Sequence, residues 1–216
     1  MIDWRDIDTV LLDMDGTLLD LHFDNHFWQA HVPLRYAEAK GLPLDAAREA
    51  LMARYSARAG TLDWYSVDYW ETELELDIMR LKEEVAHLIQ VHPAVVDFLA
   101  QLRRRGKRVV MATNAHHKSL TLKMAKTGLE PHFDAFVSAH ALGFPKEQRG
   151  FWEKLREIEP FDPARTLLVD DSLPVLDAAR AYGIRHLIAV RSPDTKQPPK
   201  DTRDYPAIDS FAELLT

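Results

Sequence analysis

The architecture of this chain is set by one segment near its start, Thr9-Val10-Leu11-Leu12-Asp13-Met14-Asp15-Gly16-Thr17-Leu18. The apolar run before Asp13 fits a buried strand that is covered on both faces. Asp13 then follows the carboxyl end of that strand, where open α/β sheets bind their ligands. Asp13 and Asp15 point to the same side of an extended segment, and Gly16 permits a sharp turn after them. The alternative interpretation is a plain acidic turn, since Asp and Gly are ordinary turn residues.

Composition is that of an ordinary globular protein, and it excludes several classes of function. A length of 216 residues is enough for one core and a smaller second module. The chain is 46% hydrophobic and carries a net charge of −7. The negative charge argues against a nucleic-acid polymer as partner. The chain has no cysteine, which excludes disulfides, zinc thiolate sites and thiol catalysis. Its polar N-terminal segment is unlike a signal peptide and no apolar run is long enough to cross a membrane, so we expect a cytoplasmic protein.

The chain divides into two regions of different character. Residues 21–91 show helix-like apolar spacing without a convincing strand, whereas helices and strands alternate from residue 92 onward. Such alternation predicts a Rossmann-like, doubly wound parallel α/β sheet. We therefore expect a core domain of residues 1–20 and 92–216, with an α-helical cap of residues 21–91 inserted after the first strand.

The predicted elements follow from the same patterns. In the cap we expect helices at 24–40, 44–59, 64–76 and 77–90, with Pro33 kinking or interrupting the first. In the core we expect helices at 94–105, 118–126, 147–157 and 175–182, and strands at 108–112, 134–138, 166–169 and 186–190. The tail should be irregular until a short helix near residues 211–215.

Polar residues follow the predicted strands on what should be one edge of the sheet. Thr113 and Asn114 follow the second strand, Lys146 lies in the loop after the third, and the fourth leads into Asp170-Asp171-Ser172. Each feature has a plain alternative, namely a turn or helix cap, a solvated lysine, and an acidic helix N-terminus. Their order and spacing together are more specific than any one of them.

In this order and spacing the chain resembles the haloacid dehalogenase-like hydrolase superfamily. The four motifs that carry the resemblance are Asp13-Met14-Asp15-Gly16-Thr17, Thr113-Asn114, Lys146 and Asp170-Asp171. The position of the insert is similar to that of family members whose helical cap follows the first strand. Further stretches resemble the purine 5′-nucleotidases of the family, which act on GMP and IMP: Phe27-Trp28, Asp68-Tyr69-Trp70 and Gly143-Phe144-Pro145-Lys146. One departure is that Pro145 precedes the lysine, where many relatives have a proline after it.

With this resemblance, the residues suit hydrolysis of a phosphate monoester. Asp13 is the expected nucleophile, which forms an aspartyl-phosphate, and Asp15 is the expected general acid and base. The expected cofactor is Mg²⁺, held by Asp13, the backbone carbonyl of Asp15 and Asp171. The expected phosphate-binding groups are Thr113, Asn114 and Lys146, with Asp170 and Ser172 in supporting positions.

The expected partner is a small-molecule phosphate monoester, a purine nucleotide. In the aromatic-rich cap, Trp28 and Tyr69 are candidates for stacking on the base, although such rings also form the cores of helical bundles. Asp20 and Asp24 could contact the purine or ribose, or simply cap the next helix. Alternative functions are a phosphatase of sugar or glycolate phosphates, a phosphosugar mutase, and a non-catalytic binding module on the same fold. The oligomeric state stays open.

Overall fold

The computed structural model describes residues 2–215 and has a parallel sheet at its centre. Residues 1 and 216 of the predicted core domain lie outside this range. The strands are β1 (Thr9–Leu12), β2 (Arg108–Thr113), β3 (Ala135–Ser138), β4 (Thr166–Asp170), β5 (His186–Val190) and β6 (Ala207–Ile208). Their order in the sheet is β3-β2-β1-β4-β5-β6, and each neighbouring pair is parallel.

Helices cover both faces of the sheet and make up most of the insert. The insert contains α1 (His22–His26), α2 (Val32–Lys40), α3 (Leu44–Arg58), α4 (Leu62–Tyr65), α5 (Val67–Leu74) and α6 (Ile78–Glu84). The core contains α7 (Val95–Arg104), α8 (His117–Thr127), α9 (Ala139–Leu142), α10 (Arg149–Ile158) and α11 (Leu173–Tyr182). Within residues 2–215, none of these helices combines the length and apolar character that a membrane crossing requires.

Strand β1 lies in the middle of the sheet because it is apolar on both faces. Val10 and Leu12 pack into one hydrophobic cluster and Leu11 into another, since successive strand residues point to opposite faces. Phe98 of α7 belongs to the first cluster and Trp152 of α10 to the second, so helices cover the two faces. The prediction of a doubly wound parallel α/β sheet is confirmed.

The insert has a hydrophobic cluster of its own, whose fully buried members lie between Phe23 and Val85. This packing is consistent with a separate cap, although the domain boundaries themselves stay predictions. The first predicted helix, residues 24–40, consists of α1, a π-helical turn at Phe27–His31, and α2, which has Pro33 in its first turn. Proline has no N–H to donate to the preceding turn, which explains why the regular helix is interrupted just before it.

Three details of the predicted elements are wrong. The helix expected at residues 77–90 ends at Glu84, and a separate 3₁₀ turn follows at Ala86–Leu88. The single helix expected at residues 64–76 is divided into α4 and α5, because Ser66 is extended and its side chain caps the backbone N–H of Tyr69. The tail is not fully irregular, since Ala207–Ile208 adds a sixth strand beside β5. A two-residue strand flanked by Pro206 gives no periodic signal that sequence analysis can detect.

Candidate functional site

The carboxyl ends of β1 and β4 bring three acidic side chains together. The register pairs Leu12 with Val169, so Asp13, which follows β1, lies beside Asp170, the last residue of β4. Asp13, Asp170 and Asp171 each offer a carboxylate oxygen, and these oxygens lie within 4.8 Å of one another. The structure thus brings the first and fourth predicted motifs into one cluster, with Asp13 and Asp170 buried.

Lys146 neutralises part of this cluster from the loop before α10. Its Nζ donates to Oδ1 of Asp13 at 2.5 Å and to Oδ2 of Asp170 at 2.7 Å, and the residue is only 2% exposed. The backbone of Lys146 is held on both sides. Its N–H donates to Oδ1 of Asn114 at 2.8 Å, and its carbonyl accepts from the indole of Trp152 at 2.8 Å. The lysine therefore reaches the predicted place although Pro145 precedes it.

Burial dominates the electrostatics of the cluster. It raises the pKa of Asp13 to about 6, against the opposing effect of Lys146. It likewise raises the pKa of Asp171 to about 6, and it raises that of Asp170. Burial alone would lower the pKa of Lys146, but the two carboxylates beside it raise that pKa well above its usual range. Lys146 stays charged, and the three carboxylates repel one another when they are ionised together. The cluster is therefore suited to bind a further cation.

Gly16 allows the acidic turn to approach the cluster. Its φ is +80°, and a Cβ at this position would lie 2.8 Å from Cγ of Asp171. Both the backbone conformation and the close approach therefore require glycine. The carboxylate of Asp15 lies outside the three-acid cluster and accepts a hydrogen bond from Nζ of Lys123 at 2.6 Å. Burial raises the pKa of Asp15 to about 6.

The remaining predicted polar residues lie at the same sheet edge, after β2 and β4, and are held by hydrogen bonds. Thr113 is buried and its hydroxyl accepts from the N–H of Ala115 at 3.0 Å. The backbone N–H of Ser172 donates to Oδ1 of Asp170 at 2.9 Å, which orients that carboxylate. The side chain of Asn114 is committed to Lys146 and Glu147, so a phosphate contact from Asn114 stays a prediction for its backbone N–H alone.

A cavity of about 670 Å³ opens beside Asp15 and extends into the cap. Its aromatic wall consists of Trp28, Tyr55, Trp64 and Tyr65. Its polar lining includes Asp15, Asp24, Asn25, Gln29, Arg48 and Lys82. The volume lies within the usual range for small-molecule sites, roughly 300–1,000 Å³.

The residues proposed from the sequence to contact the substrate lie in different environments in the structure. Trp28 and Asp24 line the cavity, whereas Tyr69 does not belong to its described lining. The hydroxyl of Tyr69 instead accepts from Arg58 at 2.7 Å. Asp20 accepts from the N–H groups of His22 and Thr195, at 2.9 and 3.1 Å. The carboxylate of Asp20 is thus occupied by backbone N–H groups, one of them from the first residue of α1, and a substrate contact from Asp20 stays a prediction.

Sequence analysis missed three lysines near the site. Lys123 contacts Asp15, Lys82 lies at the cavity wall, and Lys200 donates to the carbonyl and to Oδ2 of Asp171. For Lys82 the sequence does contain a signal. This lysine lies four residues after Ile78 on the same helix, and therefore on its apolar face. A lysine at a core-facing position is rarely buried without an acidic partner.

Comparison with known proteins identifies the family. A family model described as haloacid dehalogenase-like hydrolase matches residues 7–183. The chain is a haloacid dehalogenase-like hydrolase. Its fold is similar to the crystal structure of an HAD phosphatase from Thermococcus onnurineus, with a TM-score of 0.80, 24% identity and 96% of each chain covered.

Two curated relatives of this hydrolase have named activities. The chain is 39% identical over 214 residues to the GMP/IMP nucleotidase YrfG of Escherichia coli (strain K12), covering 99% of this chain and 96% of that protein. It is 25% identical over 183 residues to a phosphoglycolate phosphatase of Mesorhizobium japonicum, covering 81% and 79%. Both names describe enzymes that act on small phosphorylated molecules.

Proposed function

We propose that this hydrolase is a magnesium-dependent 5′-nucleotidase that releases phosphate from purine nucleoside monophosphates such as GMP and IMP. The observation that carries the proposal is that one cavity wall contains both Asp15 and the aromatic rings of the cap. A substrate with a phosphate at one end and a flat base at the other suits such a wall. The 39% identity to a GMP/IMP nucleotidase supports the same substrate class.

The acidic cluster suits Mg²⁺, a hard cation that prefers oxygen ligands and keeps several waters. Asp13 and Asp171 would hold the ion together with the backbone carbonyl of Asp15. Both oxygens of Asp170 already accept hydrogen bonds, from Lys146 and from Ser172, which favours a supporting role for this residue. When bound, the ion would offset the negative charge that the acids and the phosphate bring together.

Asp13 would act as the nucleophile and Asp15 as the proton donor and acceptor. A carboxylate oxygen of Asp13 attacks phosphorus, the bond from phosphorus to the ester oxygen breaks, and Asp15 gives its proton to the leaving alcohol. Asp15 then takes a proton from a water that attacks phosphorylated Asp13. The bond from phosphorus to Asp13 breaks, and inorganic phosphate leaves. A general acid of this kind contributes about 10²–10⁴-fold to the rate.

Neighbouring groups would hold the phosphate during this transfer. Lys146 lies 2.5 Å from Asp13, where its charge opposes the repulsion between the carboxylate and the incoming phosphate. Thr113 and the backbone N–H groups of Asn114 and Ala115 follow β2 at the same sheet edge, and they are our candidates for binding the phosphoryl oxygens. Catalysis then rests mainly on positioning and charge neutralisation, as phosphoryl transfer requires.

The base would bind in the cap part of the cavity. Trp28 is the first candidate for stacking, since it lines the cavity and is itself supported by the ring of Tyr55 at a centroid distance of 5.7 Å. Stacking of a base on an aromatic ring contributes roughly 1–3 kcal/mol. Gln29 and Arg48 also line the wall and offer hydrogen-bonding groups for the edge of a purine.

The test is phosphate release from a panel of substrates by the full chain. GMP, IMP and AMP are compared with phosphoglycolate and several sugar phosphates, each with Mg²⁺ and with a chelator. We expect the highest kcat/KM for GMP and IMP, and loss of activity in the chelator that added Mg²⁺ restores.

Other outcomes identify the alternatives. A preference for sugar phosphates or phosphoglycolate would contradict the nucleotidase assignment and leave a different phosphatase. Transfer of phosphate to a second hydroxyl, detected as a phosphorylated sugar rather than free phosphate, would indicate a mutase. No turnover of any substrate in Mg²⁺ would favour a binding module.

A further inference from the structure

A line of four charges, made of two buried lysines and two partly buried carboxylates, connects the core to the cap beside the cavity. Nζ of Lys123 donates to Oδ1 of Asp15 and to Oδ2 of Asp24, both at 2.6 Å. The other oxygen of Asp24 accepts from Nζ of Lys82 at 3.4 Å. Asp15 and Lys123 belong to the core, from the turn after β1 and from α8, whereas Asp24 and Lys82 belong to the cap helices α1 and α6.

The two lysines are unusually deep for charged residues. Lys123 is 1% exposed and Lys82 is 2% exposed. Both pack against the ring of Phe23, whose centroid is 5.1 Å from each ammonium nitrogen. Burying ion pairs often stabilises a fold no better than apolar side chains of the same size would. Stability alone therefore gives no reason to bury two lysines against the carboxylates of Asp15 and Asp24, and a role in the chemistry at Asp15 accounts for the arrangement.

The geometry points to that role at Asp15. The carboxylate lines the cavity through which the ester oxygen of a substrate must enter. Oδ1 of Asp15 accepts a hydrogen bond from Lys123, so Oδ2 is the oxygen that can give a proton to the departing alcohol. Asp24 is a second carboxylate on the same ammonium group, so without Lys123 the two acids would repel each other and Asp15 would turn away.

We propose that Lys123 is the positioning residue that fixes the general acid Asp15 toward the leaving group, and that Asp24 and Lys82 tie this position to the cap. The proposal rests on the proposed function, because it assumes that Asp15 protonates an alcohol. Lys82 also lies 5.6 Å from the ring centroid of Trp28, so a base stacked on that ring would sit close to the cap end of the line.

The test separates positioning of an acid from support of the fold by varying the leaving group. The ribose hydroxyl of GMP needs a proton as it leaves, whereas the phenolate of p-nitrophenyl phosphate does not. The quantity compared is kcat/KM, which covers the steps up to release of the alcohol and excludes the later hydrolysis of phosphorylated Asp13. The variants are Lys123→Met and Asp15→Asn, singly and combined.

We expect Lys123→Met to lower kcat/KM for GMP by about 10²-fold and that for p-nitrophenyl phosphate by less than about 3-fold. The double variant should be no slower on GMP than Asp15→Asn alone, because the lysine acts through the acid. Equal losses on both substrates would overturn the proposal in favour of a structural role. An unchanged rate on GMP, or additive losses in the double variant, would also overturn it.

A charge-neutral variant keeps the test decisive if Lys123→Met does not fold. Lys123→Met combined with Asp24→Leu removes one cation and one anion together, so the net charge of the line is unchanged, with Asp15 and Lys82 remaining. It should show the same selective loss on GMP. Wild-type enzyme on the substrate panel separates the two proposals. If another alkyl phosphate proves the better substrate, the purine assignment fails, and the leaving-group comparison is made with that substrate instead.

Discussion

The acidic site and the cap cavity meet at Asp15, yet they are built by different means. In the core, backbone pairing places the chemistry, since the register of Leu12 with Val169 sets Asp13 beside Asp170. In the cap, side-chain packing shapes the cavity wall that we propose as the recognition surface. The ring of Tyr55 contacts those of Trp28 and Trp64 at centroid distances of 5.7 and 5.6 Å.

Because of this difference, substitutions in the two regions should have different effects. A substitution at the strand ends leaves the sheet intact and changes the charge at a fixed place. A substitution in the cap changes the shape of the cavity wall and the packing that supports it. We therefore expect changes at the core site to act on the rate of chemistry, and changes in the cap to act on KM and on the choice of substrate.

The largest effect should come from Asp13→Asn. The amide cannot attack phosphorus, so we expect kcat for phosphate release to fall by about 10⁴-fold or more. Asp8→Asn is the matched control, because Asp8 precedes β1 at the opposite end of the strand and pairs with Arg165 on the surface. If the Asp13→Asn variant still released phosphate, the chemistry would not depend on Asp13, and the distinction between a core that sets the rate and a cap that sets KM would fail.

Lys146→Met should give the next largest effect, on stability as well as on rate. Asp13 and Asp170 would lose the cation between them while staying buried, which costs about 3–5 kcal/mol in the free energy of unfolding. Lys154→Met is the control, since that exposed lysine pairs with Glu157 on α10 and should change stability by less than about 1 kcal/mol. Denaturant unfolding measures both.

Added Mg²⁺ sharpens the Lys146 experiment. A cation bound at the acidic cluster should recover part of the lost stability of Lys146→Met, because it binds the folded chain alone. A variant that is as stable as the wild type without Mg²⁺ would show that the buried acids do not need the lysine charge.

The same division explains how far sequence analysis could go. The position of Asp13 and Asp170 at the strand ends can be predicted because the signal is local, an apolar run that stops at each of them. The contacts of Lys123 could not be predicted, because they depend on how the cap packs against α8. Tyr69 shows the same limit, since helical periodicity does not tell which aromatic ring of a bundle faces a cavity.

Trp28→Leu should raise KM for GMP by roughly 10-fold, within the 1–3 kcal/mol that stacking on a base contributes. The value of kcat should change little, because the ring does not reach the acidic cluster. Tyr69→Phe is the matched control, since Tyr69 lies outside the described cavity lining and its hydroxyl contacts Arg58. Equal KM values for wild type and Trp28→Leu would place the base elsewhere.

The smallest effect should come from His116, which lies between the two regions as the residue before α8 and in the cavity wall. Burial lowers its pKa to about 4, from an ordinary value of 6.5. Between these values the unfolded chain binds a proton that the folded chain does not, so the contribution of His116 to stability is complete above pH 6.5 and is lost as the pH falls toward 4. Unfolding free energies of wild type and His116→Gln, measured across this range, should differ in their pH dependence by about 1 kcal/mol, with the wild type losing more. Parallel curves would mean that His116 is solvated in the folded protein, and that the cavity reaches water at the boundary where the core and the cap meet.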